Sequence, residues 1–363
     1  MLFRSLKTKC IEEITDFGDL PVFTGATTYP LILRVSNNPP HFHPRVTTVD
    51  TLDFVSLQEY VAEHGEIADQ TCFEEIGWSL AGKQTQDLLT KLRQNSIPLG
   101  EYVNGKVFYG IKTGLNKAFV IDQATKDRLI AEDPRSTELI KPFAQGRDIK
   151  RYAPIPVKQY LILIPKGWTN QHRKGNAWNW FSSQYPAVAS HLKQFEKEAI
   201  ARADQGDYWW ELRACDYYDE FEKPKIVWGN MSTTPNYTMD LGGTYINAPA
   251  VIIPLEDYYL LGIMNSSLGY YFISKTAAGR RGGFFEYKPI YVSQLPIHIV
   301  NETDPRGLEI KKQIEQYVRR ILLLNSQEAL IPSEKDKLRR TIDIVDAQIN
   351  QLVLKLYRTS DLE

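Results

Sequence analysis

Cysteine is scarce in this chain of 363 residues. Cys10, Cys72 and Cys215 are odd in number and far apart. They argue against a disulfide framework and fit reduced thiols in a cytoplasmic protein. No apolar run approaches membrane-spanning length and no signal peptide opens the chain, so no membrane association is expected. Histidine is also sparse: His41 and His43 lie two apart, no third ligand is evident near them, and no metal site is expected. No serine or cysteine sits in a nucleophile context. Glu309-Ile310-Lys311 matches the E-x-K half of a nuclease motif, but it falls in a helical stretch with no Pro-Asp before it, and it is discounted. No catalytic residue is therefore expected. A formal net charge of −1 means that the chain is not globally basic, which counts against nucleic-acid binding.

Local charge is another matter. Between Lys141 and Lys174 eight cations face the single acid Asp148, and between Glu196 and Glu222 nine acids face Lys197, Arg202 and Arg213. Aromatics are plentiful, with 20 Tyr and 7 Trp. Such side chains suit binding faces as well as β-rich cores.

Periodicity and turn residues give an element order. The stretch Ile14–Val35 ends in an apolar strand, Leu31 to Val35. Leu57, Tyr60 and Val61 suit a short helix, and Leu80, Leu88, Leu89 and Leu92 another, ending near Asn95 before Pro98. Val103-Asn104-Gly105-Lys106-Val107 reads as a hairpin, because Asn-Gly accommodates two positive φ angles. Ala118–Ile121 reads as a buried strand, Gln123–Ala131 as a helix and Tyr160–Ile164 as a strand. Ala187–Arg202 reads as one amphipathic helix and Lys225–Trp228 as a strand. Tyr237–Ile253 reads as a β-meander turning at Gly242-Gly243, and Tyr258–Ile273 as a helix apolar nearly all round, hence buried. The tail has the clearest period. Ile310, Ile314, Tyr317, Ile321 and Leu324 form one heptad seam, and Leu338, Ile342, Val345, Ile349, Leu352 and Leu356 another. Between them Pro332–Asp336 restarts a helix, with Ser333 as cap and Asp336 closing a capping box. The expected class is α+β: a mixed or antiparallel sheet followed by an antiparallel helical hairpin. The tail seams are expected to pack on each other or on a partner, and a purely structural cap is an open alternative.

Three loops carry binding chemistry. In Lys112-Thr113-Gly114-Leu115-Asn116-Lys117 a glycine permits close backbone approach, and Thr113, Asn116 and the lysines can donate to phosphate or base edges. In Gly146–Tyr152, Arg147, Lys150 and Arg151 offer bidentate or point-charge contacts. In Gly279–Lys288, glycines flank Arg280 and Arg281, aromatics follow, and Lys288 closes the run, a composition suited to a loop pressed into a groove or against phosphates. Each also has a plain reading as a solvated turn. Tyr208-Trp209-Trp210-Glu211-Leu212-Arg213 could stack bases, but core packing with Arg213 paired to a neighbouring acid is favoured.

The run Tyr109–Tyr152, with Tyr208–Trp228, Leu260–Leu268 and Tyr291–Ile297 in the same order, resembles the TaqI-like specificity domain. This is the target-recognition domain of adenine-specific DNA methyltransferases of the type IIG restriction–modification kind. The resemblance spans Pro98 to Ile297 and implies recognition of double-stranded DNA. It also implies an organisation: 1–55 as the C-terminal end of a methyltransferase domain, 56–96 as a helical connector, 97–299 as the recognition domain and 300–363 as a helical hairpin. That hairpin is similar to the spacer helices of type I specificity subunits. A small independent N-terminal β unit is the alternative for the first segment. The family methylates adenine with S-adenosylmethionine, yet no glycine-rich turn follows a strand in the first hundred residues. Asn38-Pro39-Pro40-His41 has His where the family's catalytic segment has an aromatic, and it follows the strands instead of preceding them; it reads as a proline-stiffened loop. The cofactor is thus expected in a catalytic domain outside this chain. A methyltransferase domain or subunit would dock on the N-terminal strands and helical tail. The rival readings are a protein-interaction module or inactive fragment that no longer binds DNA, and a complete enzyme with an unfamiliar active site.

Overall fold

A computed structural model of the chain describes residues 9–25, 28–39, 43–70, 83–327 and 331–358. Cys72, Leu80, Pro40 and His41 lie outside the described residues.

The N-terminal sheet has the strand order Leu31–Ser36, Cys10–Asp16, Arg45–Thr48, Glu66–Ile67. Its central pair runs parallel and its flanking pairs antiparallel. Its core is small, with Ile11, Ile14, Val46 and Ala68 buried and Leu33 packed against them. The apolar strand Leu31–Ser36 lies at the edge, where Leu31 and Ile32 are each 48 % exposed.

The middle of the molecule is organised by the strand Lys225–Trp228, buried at every position. Its sheet has the order Thr238–Asp240, Lys225–Trp228, Val251–Ile253, Phe108–Tyr109, all antiparallel. This sheet separates two cores. Ile226 and Trp228 face one core with Val251 and Ile253, whereas Val227 and Ile252 face the other. The two-residue period of a strand therefore yields a continuous apolar run when both faces are covered.

On one side the sheet packs against Tyr258–Asn265, Ser267–Thr276 and the tail helices. On the other lie the helices between Asn116 and Ala201 and a second sheet, ordered Tyr245–Ile246, Ile140–Ala144, Gln159–Ile162, Val120–Asp122. A smaller sheet joins Met231–Ser232, Phe284–Glu286 and Gly279–Arg280, and Pro296–His298 pairs with Ser96–Pro98.

Several elements differ from the sequence reading. Tyr237–Ile253 is not a meander. The Asp240 carboxylate accepts from the amides of Gly242 and Thr244 and pairs with Lys225 Nζ at 2.6 Å, which ends the strand. The chain then crosses, with Gly243 at φ +67°, so that Tyr245–Ile246 pairs in parallel with Phe143–Ala144 of the other sheet. Asn104 and Gly105 do take positive φ. Their turn joins the short helix Leu99–Tyr102 to a strand, because the Leu99 and Gly100 amides bind the carbonyls of Leu295 and Ser293. Ala118 and Phe119 end a helical turn, Asn116–Phe119, and the strand begins at Val120. The segment from Ala187 splits into helices Pro186–Lys193 and Glu196–Ala201. The long buried helix breaks at Ser266, whose Oγ donates to the Ile263 carbonyl and accepts from the Gly269 amide.

The tail is formed by helices Pro305–Asn325 and Pro332–Tyr357, joined by a short connection and packed through Ile314, Val318 and Ile321 against Val345, Ile349 and Val353. Both approach Gly262, where an added Cβ would lie 2.7 Å from Ile314 Cγ2. The second helix starts with Pro332 at its first position, and no side chain caps it. Proline's fixed φ suits that position, which leaves Ser333 inside the helix instead of at its cap.

Candidate nucleic-acid interface

Three loops converge on the turn Gly229-Asn230, which follows the central strand. A Cβ at Gly229 would lie 2.9 Å from the Gly146 carbonyl oxygen, so only glycine lets the basic loop Gly146–Tyr152 come this close. The Asn230 carbonyl accepts from the Tyr287 amide at 2.8 Å, bringing in the segment that ends at Lys288. Asn230 also lines a cleft of about 580 Å³, whose walls carry Tyr109, Lys112, Arg213, Tyr217 and Lys288. Tyr217 stacks on Phe108, with ring centroids 4.5 Å apart. Cys215 is in the same wall, but burial pushes its thiol up, away from the reactive thiolate.

The expected contact residues divide sharply. Lys112 is exposed at the cleft. Its neighbours are engaged within the fold. Thr113 is buried, its hydroxyl donates to Asn116 Oδ1 at 2.6 Å, and its carbonyl accepts from Arg202 Nη1 at 2.5 Å. Lys117 pairs with Glu198. Thr113, Asn116 and Lys117 thus shape this turn through internal contacts.

In the second loop Arg147 and Lys150 are exposed. Asp148 accepts from the Gln145 amide and fixes the turn. Arg151, expected to be a free loop cation, turns inward. Its Nη1 and Nη2 bind both oxygens of Asp346 at 2.9 and 2.7 Å, and Nη2 also donates to the Asn265 carbonyl at 2.7 Å. It fastens the loop to the second tail helix.

In the third loop Gly279–Arg280 and Phe284–Glu286 form a hairpin turning at Gly282 and Gly283, with φ +78° and +74°. Arg281 and Phe284 are exposed near its tip. Arg280 and Lys288 both pair with Glu286. Arg280 also lies over the Tyr29 ring, 5.3 Å from its centroid, and the Arg281 amide donates to the Tyr29 hydroxyl at 3.0 Å. The hairpin is thereby tied to the N-terminal unit.

The tryptophan-rich stretch packs internally. Trp210 is buried among Tyr208, Trp178, Phe181 and Trp209. Glu211 is buried and accepts the amides of Gly167, Thr169 and Asp207. Arg213 pairs with Asp204 at 3.4 Å while lining the cleft. Arg213, Asn230, Tyr109 and Glu286 were not singled out from sequence as site residues. A Gly-Asn pair directly after a buried strand is the signal that could have drawn attention to Asn230.

Residues 141–297 match the family model of the TaqI-like C-terminal specificity domain. This agrees with the resemblance drawn from sequence, though the Lys112 turn lies outside the matched residues. Among solved structures, the type IIL restriction-modification enzyme MmeI, determined in complex with DNA, matches with TM-score 0.60 and 12 % identity over 98 % of this chain and 44 % of that one. The type IIG restriction endonuclease BpuSI matches at TM-score 0.40 and 11 % identity, over 99 % of this chain and 45 % of its own length. The present chain thus spans less than half the length of either enzyme. The MmeI match shows a shared fold, and the BpuSI match is too weak to bear on it. No curated protein matches the chain in sequence. Residues 141–297 thus resemble a specificity domain of the TaqI-like kind.

Proposed function

We propose that this chain selects the DNA site for an adenine-methylating restriction–modification system, reading duplex DNA through the face around Asn230. The convergence of the loops carries this reading. Lys112, Arg213 and Lys288 line one cleft, and Arg147 leaves the turn held against Gly229. Cations on one face favour a polyanion over the protein-interaction alternative. Exposed cations would fix the backbone, and Tyr109, Arg213 and the Asn230 amide group would meet base edges from the cleft.

Methyl transfer is assigned to a methyltransferase domain or subunit outside this chain, with S-adenosylmethionine bound there. The strand Cys10–Asp16 is followed by Phe17 and the single glycine Gly18, not by a glycine-rich turn. The edge strand Leu31–Ser36, with Leu31, Ile32 and the nearby Phe23 exposed, supports the N-terminal sheet as the docking surface.

The test is duplex binding by fluorescence anisotropy over a salt series. Lys112→Glu should weaken binding and flatten the dependence of log K on log salt by about 0.9. A folded Lys112→Glu variant with parental affinity and slope would remove the cleft from the interface.

A further inference from the structure

Glu286 ends the hairpin strand Phe284–Glu286 and its side chain is only 6 % exposed. Its Oε1 accepts from Arg280 Nε at 2.9 Å and Nη2 at 2.5 Å, and its Oε2 pairs with Lys288 Nζ at 2.6 Å. Burial alone would raise the Glu286 carboxyl, but Lys288 and Arg280 hold it below the usual carboxylate range. One carboxylate therefore restrains two cations of the candidate interface. Both remain more than a third exposed, at 37 % for Arg280 and 39 % for Lys288. Arg281, one residue along, is exposed, and no ion pair holds it among the described residues.

We propose that Glu286 is a positioning residue that makes this face selective, by keeping Arg280 and Lys288 partly neutralised until a duplex seats in register. The inference rests on the DNA-binding reading above. The charges explain the effect. Two cations on one carboxylate leave a net single positive charge, so a phosphate reaching either cation must share it with Glu286. A weakly seated duplex gains little from that competition. A duplex that also fills the cleft at Lys112 and Asn230 adds contacts that do not depend on displacing Glu286. Non-specific binding rests on phosphate contacts throughout and bears the full competition, whereas a duplex held in register by the cleft contacts can leave the Glu286 pairs closed, so the ratio between the two widens.

The hairpin geometry fits this role. Glu286 lies opposite Met231 in the ladder, one residue after Asn230, so the carboxylate is anchored to the turn on which the loops converge. The Tyr29 ring lies against the same Arg280 guanidinium, 5.3 Å from ring centroid to Cζ. Glu286 holds both cations and Tyr29 adds a second contact to Arg280, whereas unpaired lysines and arginines would sample many geometries.

The experiment uses the full chain, fluorescent duplexes with the preferred and a scrambled sequence, and a salt series. Glu286→Gln should tighten binding to the scrambled duplex by on the order of tenfold for each cation released near 0.1 M salt. It should steepen that duplex's salt slope by about 1 to 2 and narrow the preferred-to-scrambled ratio. Glu286→Asp, which keeps the charge, should stay close to the parent. Unchanged slope and ratio in a folded Glu286→Gln variant would overturn the inference, and so would weaker binding to both duplexes. If Glu286→Gln fails to fold, Arg280→Met and Arg281→Met replace it. The restrained Arg280 should change the slope by less than half as much as Arg281, and equal effects would overturn the inference. A parent chain that binds neither duplex contradicts the function reading itself and removes this inference with it. That failure is distinguishable, because in the other cases the parent binds.

Discussion

Replacing Arg151 by Met and Asp346 by Asn, singly and together, separates a structural clamp from a DNA contact. The pair is bidentate, at 2.9 and 2.7 Å, and its side chains are 32 % and 22 % exposed. Fully exposed pairs contribute about 0.2–1 kcal/mol, and breaking a buried pair costs about 3–5 kcal/mol. A partly buried bidentate pair lies between, and among the described residues Asp346 keeps a weak second partner in Asn350 Nδ2, at 3.5 Å. Arg151→Met also removes a donor from the Asn265 carbonyl. Arg151→Met alone should therefore cost about 2 kcal/mol, and the cycle should give a coupling of about 1–2 kcal/mol. Urea unfolding followed by far-ultraviolet circular dichroism reads the stabilities. The same Arg151→Met protein should keep the parental salt slope for duplex binding, since its charge faces Asp346. Coupling inside the ~0.5 kcal/mol scatter of independent sites, or a slope flattened by about 0.9, would refute the clamp.

Other perturbations address the core and its titration. Ile349 is fully buried between the tail helices and beneath Tyr258–Asn265; Ile349→Asp should cost more than about 3 kcal/mol, and a melting profile like the parent's would contradict the packing. His191 donates from Nε2 to the Ala118 carbonyl at 3.0 Å, and burial holds its imidazole below the ordinary 6.5. The unfolded chain therefore takes up the proton more readily, so the stability from neutral His191 is present above pH 6.5 and is lost as pH falls through its depressed folded value. His191→Gln should reduce the acid slope of stability by up to about 1.4 kcal/mol per pH unit, read by urea midpoints below that pH. His298, also lowered by burial, and carboxylates held below their usual range such as Glu286 contribute to the remainder. An unchanged slope would place His191 in solvent-like surroundings.

Elements with one dominant local signal were readable from sequence. Lys225–Trp228 is a short run dense in apolar residues, and burial on both faces realises that pattern. The tail seams repeat often enough for pairing to follow, and the MmeI match agrees with an α+β chain. The crossing at Gly242-Gly243 was hidden because a glycine turn looks the same whether the next strand returns or leaves. The deciding contact, Lys225 with Asp240, is tertiary. Ser266 and Gln194-Phe195 interrupt helices whose apolar period runs on undisturbed, so periodicity merged them.

The site shows the same limit. Arg147, Lys150 and Arg151 are equivalent in a one-dimensional reading, yet Arg151 meets an aspartate 195 residues along the chain. Lys117 is likewise claimed by the distant Glu198. Glu286 reads as one acid diluting a basic loop, and only the hairpin register puts its two oxygens on two different cations. Asn230 carries no charge and no repeat, and its one local signal, a Gly-Asn pair after a buried strand, marks a turn without saying that loops meet there.

The most direct measurement is selection of a randomised duplex pool on the purified chain at two salt concentrations, with sequencing of the bound fraction. A target-recognition module should enrich one short motif, and total binding should fall as salt rises. Absence of binding even at low salt, or binding with no enriched motif, would contradict the assignment of site selection to this chain.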